Sequence, residues 1–367
     1  MIKILHLIDT TGPGGAETVF VQLCTLLDKQ QYEPCVIISG PGWVYDSLVA
    51  QGISPYIINA KKGFNFSYLR EILQLVKHKN INLIQAHLFG ASVYAAIVGL
   101  ISRKPVVATL HGAVDISHDE RFIFLKRLIL KWGVKSLVVV SVQLASEIAN
   151  RIKFKQNRIN VIHNGVDLDK FRLQKSGRLR KKYNIPDNSI VLGCVGNIRK
   201  AKGYPYLLNA CAILKAKKLE FNLIIAGEGK GPLYEELQIQ LKKLNLVDDI
   251  FFEGFVSDVP EFLSNIDIFV LPSISEGFSI TTVEAMASGL PIVATRSGGP
   301  ETILLDRETG LLVPPESGES IAAGIELLMK TPDLCTAMSK KAKAEAKNKY
   351  SLQKMINHYH GLYQNLT

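Results

Sequence analysis

At 367 residues and 47% hydrophobic, the chain exceeds the usual size of a single core, so two domains in one polypeptide are expected. No apolar run reaches the roughly 18 to 20 residues that span a bilayer, and Met1-Ile2-Lys3-Ile4-Leu5 is too short an apolar start for a signal peptide; a cytoplasmic location is expected. The formal charge of +10 is uneven: residues 118–182 hold 16 Lys/Arg against 5 Asp/Glu, whereas 183–367 hold 18 against 21.

From the start, apolar β-rich runs alternate with helix-length segments: Ile2–Ile8, Cys35–Ser39, Tyr56–Asn59, Leu83–His87, Val106–Leu110, Leu137–Ser141 and Ile159–His163. Continuous rather than alternating apolar runs predict a parallel, doubly wound sheet. The polar stretch Asp167–Asn188, rich in Lys and Arg, breaks the rhythm, which restarts at Ile190–Val195. It continues through Asn222–Ala226, Ile250–Phe252, Ile268–Leu271 and Ile292–Thr295. The predicted fold is therefore α/β, with two Rossmann-like domains at about 1–170 and 185–349 and a cleft between them. Ligands of open α/β sheets sit at the carboxyl ends of the strands, so the loops after these runs are where chemistry is sought. Cys24, Cys35, Cys194, Cys211 and Cys335 form no CxxC pair and are read as reduced structural thiols.

Three loops carry signal. The first strand runs into Gly12-Pro13-Gly14-Gly15-Ala16-Glu17, where Glu17 occupies the place of the third glycine of a dinucleotide fingerprint. Gly227-Glu228-Gly229-Lys230-Gly231 lacks the spacing and the Ser/Thr of a P-loop, so neither NAD nor ATP is expected. Gly14 and Gly15 permit close backbone approach to an anion at a helix N-terminus, or make a tight turn and nothing more. In Gly196-Asn197-Ile198-Arg199-Lys200-Ala201-Lys202-Gly203 cations gather between a strand end and a helix start, a placement suited to a diphosphate.

The most informative stretch follows Ile268–Leu271, where Glu276 and Glu284 stand eight residues apart. Ser279 or Thr281 can cap a helix there, leaving Glu276 in the loop above its N-terminus and Glu284 about one turn inside. So placed, the two carboxylates cannot share one proton-transfer site. They can each accept from the hydroxyls of a separate sugar ring, while backbone amides at Phe278, Ser279 and Ile280 would point at a ligand.

This spacing, with Gly277-Phe278 after the first glutamate and Ala285-Met286-Ala287-Ser288-Gly289-Leu290-Pro291 after the second, resembles the EX7E signature of the retaining glycosyltransferase family GT4, which has the GT-B fold. Gly14-Gly15-Ala16-Glu17, Thr109-Leu110-His111-Gly112, the segment Val161 to Asp167, Lys202-Gly203, Ala226-Gly227-Glu228-Gly229 and Ser297-Gly298-Gly299-Pro300-Glu301 fall in family order, so the resemblance covers nearly the whole chain.

The resemblance implies a metal-independent transferase with no cofactor, whose donor is a nucleotide sugar, a UDP-sugar by preference. It implies that Glu276 orients the donor sugar, that Glu284 binds ribose, and that Phe278, Ser279, Ile280 and Thr281 line the sugar and diphosphate. Lys202 matches the family's diphosphate lysine. The arginine often found five residues earlier is replaced by Asn197, and Arg199 is placed to take that charge. Gly14 and Gly15 would close on the diphosphate, His111 would lie under the sugar, and Val256 would sit near the nucleobase. Glu17 is the acceptor-side candidate. The last residues, 350–367, would form a helix crossing back onto the first domain, with hinges near 167–188 and 345–352.

The acceptor, by the same resemblance, is a saccharide or lipid-linked saccharide. Within residues 118–135, Phe122-Ile123-Phe124-Leu125-Lys126-Arg127-Leu128-Ile129-Leu130-Lys131-Trp132 combines apolar bulk with Arg121, Lys126, Arg127, Lys131 and Lys135. This stretch reads either as an interfacial helix on an anionic membrane surface or as a core helix with a basic outer face. Another GT-B sugar-nucleotide enzyme such as an epimerase is the enzymatic rival. A basic membrane-binding or nucleic-acid-binding protein with a degenerate site is the rival of another class, although no stacking array of aromatics interleaves the cations and nucleic acid is not an expected partner.

Overall fold

The computed structural model describes residues 1–59, 65–112, 116 and 122–367. Its contacts divide the chain into two compact units: Met1–Gly165 with Gln353–Thr367, and Val166–Leu352. Both are α/β.

The first unit is built on a parallel sheet of β1 (Ile2–Leu7), β2 (Tyr32–Ile38), β3 (Tyr56–Ile57), β4 (Leu83–His87), β5 (Val106–Leu110), β6 (Ser136–Val139) and β7 (Ile159–Val161). Spatially the strands run β3-β2-β1-β4-β5-β6-β7 among the described residues. Every residue of β4, β5 and β6 is buried, as helices on both faces require of central strands. The second unit has β8 (Ile190–Val195), β9 (Phe221–Ala226), β10 (Ile250–Gly254), β11 (Ile268–Leu271), β12 (Ile292–Thr295) and β13 (Leu311–Val313), in the order β10-β9-β8-β11-β12-β13. The order reverses between β1 and β4 in one unit and between β8 and β11 in the other. Loops that leave those strands flank the crevice where doubly wound sheets bind ligands.

Five of the runs read from sequence coincide with their strands end to end: β4, β5, β8, β11 and β12. The sequence reading lacks β13, because three residues are too few to show a pattern. The stretch 167–188 is ordered within the second unit, as a 3-10 turn at Leu168–Phe171 and a short helix at Arg178–Lys182. Arg178 pairs with Glu261 at 2.8 Å, Arg180 with Asp267 at 2.8 Å and Lys182 with Glu253 at 2.8 Å; Lys175 also pairs with Asp267.

At the other end, a helix Pro332–Lys349 stops at Tyr350, and a last helix, Leu352–Gln364, joins the first unit. There Tyr363 Oη donates to Gln85 Oε1 at 2.9 Å, and Tyr359 Oη lies 3.1 Å from Thr109 Oγ1. Gln85 closes the set, its Nε2 donating to Thr109 Oγ1 at 2.9 Å, so these polar groups buried under the helix are satisfied by one another. The helix crosses back, as the resemblance implies. No helix among the described residues is long and apolar enough to cross a membrane.

Candidate active site

Three loops of the second unit meet at the β8/β11 switch point. The loop after β8 makes a 3-10 turn, Lys200–Lys202, and passes into the helix Tyr204–Ala216 through Gly203, whose φ is +65°. A side chain there would be strained, and its Cβ would lie 2.0 Å from the carbonyl oxygen of Pro272, so only glycine lets the loops after β8 and β11 touch. Ile274 N donates to Ala201 O at 2.7 Å across that contact. The third loop, after β12, is tied in by Glu276 N donating to Ser297 O at 2.8 Å. Gly299 packs so closely on Phe278 that an added Cβ would meet its backbone at 3.0 Å.

These constraints bring Lys202 and Glu276 together. Lys202 Nζ donates to Glu276 Oε1 at 2.7 Å, and Ser273 Oγ donates to the same oxygen at 2.7 Å. Both side chains are largely withdrawn from solvent, at 24% and 11% exposure. Both bonds fall on Oε1, which leaves Oε2 as the carboxylate's acceptor for an incoming hydroxyl.

Below Glu276 the chain enters the helix Ile280–Ser288, capped by Ser279, whose Oγ accepts from Thr282 N at 3.3 Å. Of the two capping candidates the structure uses Ser279; Thr281 Oγ1 lies 3.2 Å from its hydroxyl. Ile280 and Thr281 occupy the first turn, where helix geometry gives an N–H no intrahelical partner and the dipole favours an anion. Glu284 sits one turn in. Burial pushes its carboxyl up to about 7, and it has no ion-pair partner among the described residues.

The remaining second-unit candidates are placed as follows. Arg199 is exposed at the head of the β8 loop. Asn197 turns its Oδ1 to Glu228 N at 3.1 Å, so its carbonyl holds the loop after β9 against the loop after β8. Val256 is half-buried beyond β10, just after Gly254, whose carbonyl accepts from Gly227 N at 2.7 Å.

In the first unit, Gly14 caps the helix Gly15–Leu26 in extended backbone, and Glu17 folds back over it; a Cβ on Gly14 would lie 2.4 Å from Glu17 Oε2. His111 follows β5. Its Nε2 lies 3.0 Å from Nδ1 of His87, the wholly buried last residue of β4, and the rings stack at 5.3 Å. Burial holds both imidazoles far below their ordinary value, His111 at about 3, so the pair is neutral across physiological pH.

Sequence reasoning missed His87, Ser273 and Asp9. Asp9 Oδ2 accepts from Ala91 N at 3.1 Å beside Gly90, at the β1/β4 switch point. Each ends or follows an apolar run, the one signal that pointed to them. Their partners lie elsewhere in the chain or, for Ser273, depend on the rotamer of a neighbour.

A family profile described as Glycosyltransferase Family 4 matches residues 13–170, and one described as Glycosyl transferases group 1 matches residues 175–345. The putative glycosyltransferase EpsF of Bacillus subtilis is 25% identical over 341 residues, 89% of this chain and 87% of that one. The UDP-Gal:alpha-D-GlcNAc-diphosphoundecaprenol alpha-1,3-galactosyltransferase of Escherichia coli is 24% identical, with 99% of this chain and 96% of that one covered. Among solved structures, Anabaena HepE in complex with UDP-glucose matches with a TM-score of 0.90 over 100% of both chains at 22% identity, which shows a shared fold. The two profiles adjoin and together take in most of the sequence, their order is that of the two units, and the chain belongs to glycosyltransferase family 4, with the GT-B fold.

Proposed function

We propose that this glycosyltransferase moves a hexose or related sugar from a UDP-sugar to a saccharide or lipid-linked saccharide, with retention of anomeric configuration and without a metal ion. The observation that carries the reading is the convergence, at one switch point, of Lys202, Glu276, the open N-terminus of the helix Ile280–Ser288 and the desolvated carboxyl of Glu284. The choice of UDP is supported by HepE, whose structure holds UDP-glucose, and by the E. coli relative, whose name specifies UDP-Gal.

In this reading the diphosphate takes Lys202 and the first-turn amides, with Arg199 adding charge, and these groups supply the positive field that a divalent ion would otherwise provide. Glu284, short of water and with no ion-pair partner among the described residues, accepts from the ribose hydroxyls. Glu276 accepts from the donor sugar through Oε2. The reading assigns His111, Gly14 and Gly15 a role in donor binding, Val256 one at the base and Glu17 one in acceptor binding.

The bond from the anomeric carbon to the leaving phosphate oxygen breaks as the acceptor hydroxyl attacks from the same face. The leaving oxygen takes the acceptor's proton, and cations aimed at that oxygen favour this course because they stabilise the charge that builds there. Proton NMR of the product of an α-linked UDP-sugar tests the stereochemistry: the reading expects an α linkage, and a β linkage would refute retention.

A further inference from the structure

The helix Ile123–Gly133 of the first unit has the reverse of a core helix's exposure. Leu130 is its one fully buried side chain, while Phe124 at 72%, Leu125 at 55% and Trp132 at 73% stand in solvent beside the exposed Leu128, preceded by an exposed Phe122. Phe124, Leu128 and Trp132 recur at four-residue steps with Leu125 adjacent, so they form one face. The opposite side is pressed against the helix Phe89–Ser102, where a Cβ on Gly133 would lie 2.4 Å from the carbonyl oxygen of Ala96. That neighbouring helix exposes Leu100 and Ile101. Of the two alternatives left by the sequence, the core helix is therefore removed for residues 122–133, whereas 118–121 fall outside the described residues.

Along the helix and the strand that follows it, the formal charges have one sign. Residues 122–146 contain no Asp or Glu. Arg158 lies against the end of the helix, donating to Lys131 O at 3.0 Å and Lys135 O at 3.3 Å. Among the described residues Lys131, Lys135 and Arg158 form no ion pair, nor do Lys153 and Lys155 on the turn leading to Arg158. The other part of the basic region, Lys175, Arg178, Arg180 and Lys182, is neutralised by Asp267, Glu261 and Glu253 in the second unit. Lys131, Lys135 and Arg158, without an ion pair among the described residues, thus border the exposed apolar face.

We propose that this face docks on an anionic lipid bilayer, with Phe124, Leu125, Leu128 and Trp132 entering the boundary between headgroups and acyl chains and Lys131, Lys135 and Arg158 meeting lipid phosphates. Nucleic acid would satisfy the cations and leave the apolar side chains in water. A second copy would set the same cations against one another, because a two-fold interface opposes like to like. A bilayer with anionic headgroups satisfies both sets. The inference rests on the first unit alone and holds whichever acceptor the enzyme uses.

The test is co-sedimentation of the full chain with phosphatidylcholine vesicles, with and without phosphatidylglycerol, at low and high salt. Binding is expected to need the anionic lipid and to weaken with salt. Lys131→Glu with Lys135→Glu should lower the partition about tenfold or more. Phe124→Ser with Trp132→Ser should lower it comparably, and both variants should keep the wild-type melting transition, since all four side chains are exposed. The proposal is overturned by a wild-type chain that ignores anionic vesicles, or by either pair leaving the partition unchanged. A wild-type dimer in light scattering that the Phe124/Trp132 pair dissolves would give the face to a second copy instead.

Discussion

At the scale of single residues, the contact that organises the candidate site was hidden in the sequence while its members were not. Lys202 and Glu276 are each legible from family spacing, but their 2.7 Å contact joins residues 74 apart and depends on Gly203 admitting the carbonyl of Pro272. Glu284 is legible as a carboxylate one turn into a helix; its desolvation is not, because it depends on how the neighbouring elements pack around that turn. That desolvation has a sign. A carboxyl raised in the folded state stabilises the protein fully below its unfolded value, and the contribution is lost as pH rises through about 7. Glu284→Gln should therefore raise the melting temperature of the ligand-free protein at pH 8, by about 2 °C or more for each kcal/mol of relieved burial. Below about pH 4, where the carboxyl is neutral in the unfolded chain as well, it should change little. The same variant should erase an acidic limb near pH 7 in kcat/KM for the donor. His111→Asn should leave that limb in place, since burial keeps His111 neutral down to about pH 3. A limb that follows His111 rather than Glu284 would contradict the assignment.

At the scale of elements, strands buried on both faces were easy to read because their apolar runs are continuous, as Val106–Leu110 and Ile268–Leu271 show. Short or part-exposed elements were not: Leu311–Val313 is three residues long, and Arg178–Lys182 is a helix whose sequence reads as a basic linker. Loops at the switch points owe their shape to glycines that tolerate no replacement. Gly203→Ala adds a Cβ where φ is +65° and the Pro272 carbonyl is 2.0 Å away, so the loops after β8 and β11 must separate. The expected result is a stability loss of about 1–3 kcal/mol, together with a fall in kcat that exceeds any change in nucleotide affinity, since Lys202 is the adjoining residue. Gly177→Ala serves as the control, because its φ is +69° but nothing lies near the added carbon. Equal kinetic effects of the two would show that strain alone, and not the approach of the loops, is what matters.

At the scale of the whole molecule, the chain places its chemistry-bearing loops at the strand ends where each sheet reverses, and it ends by returning a helix to the first unit, where Tyr359 and Tyr363 satisfy Thr109 and Gln85. The two-unit plan was legible from the repeated rhythm of apolar runs. The allocation of 167–188 to the second unit was not, since it depends on ion pairs with Glu253, Glu261 and Asp267, far along the chain. Both parts of the central claim, sugar transfer from a nucleotide donor and charge neutralisation by Lys202 rather than by a metal ion, are reached by one measurement: release of nucleotide from UDP-sugars and GDP-sugars in the presence of EDTA, by the wild type and by Lys202→Ala. Metal-free transfer at this site predicts slow release of UDP from a UDP-sugar, undiminished by EDTA and reduced about 100-fold or more in the variant. Release that EDTA abolishes, or that survives in Lys202→Ala at the wild-type rate, would contradict it.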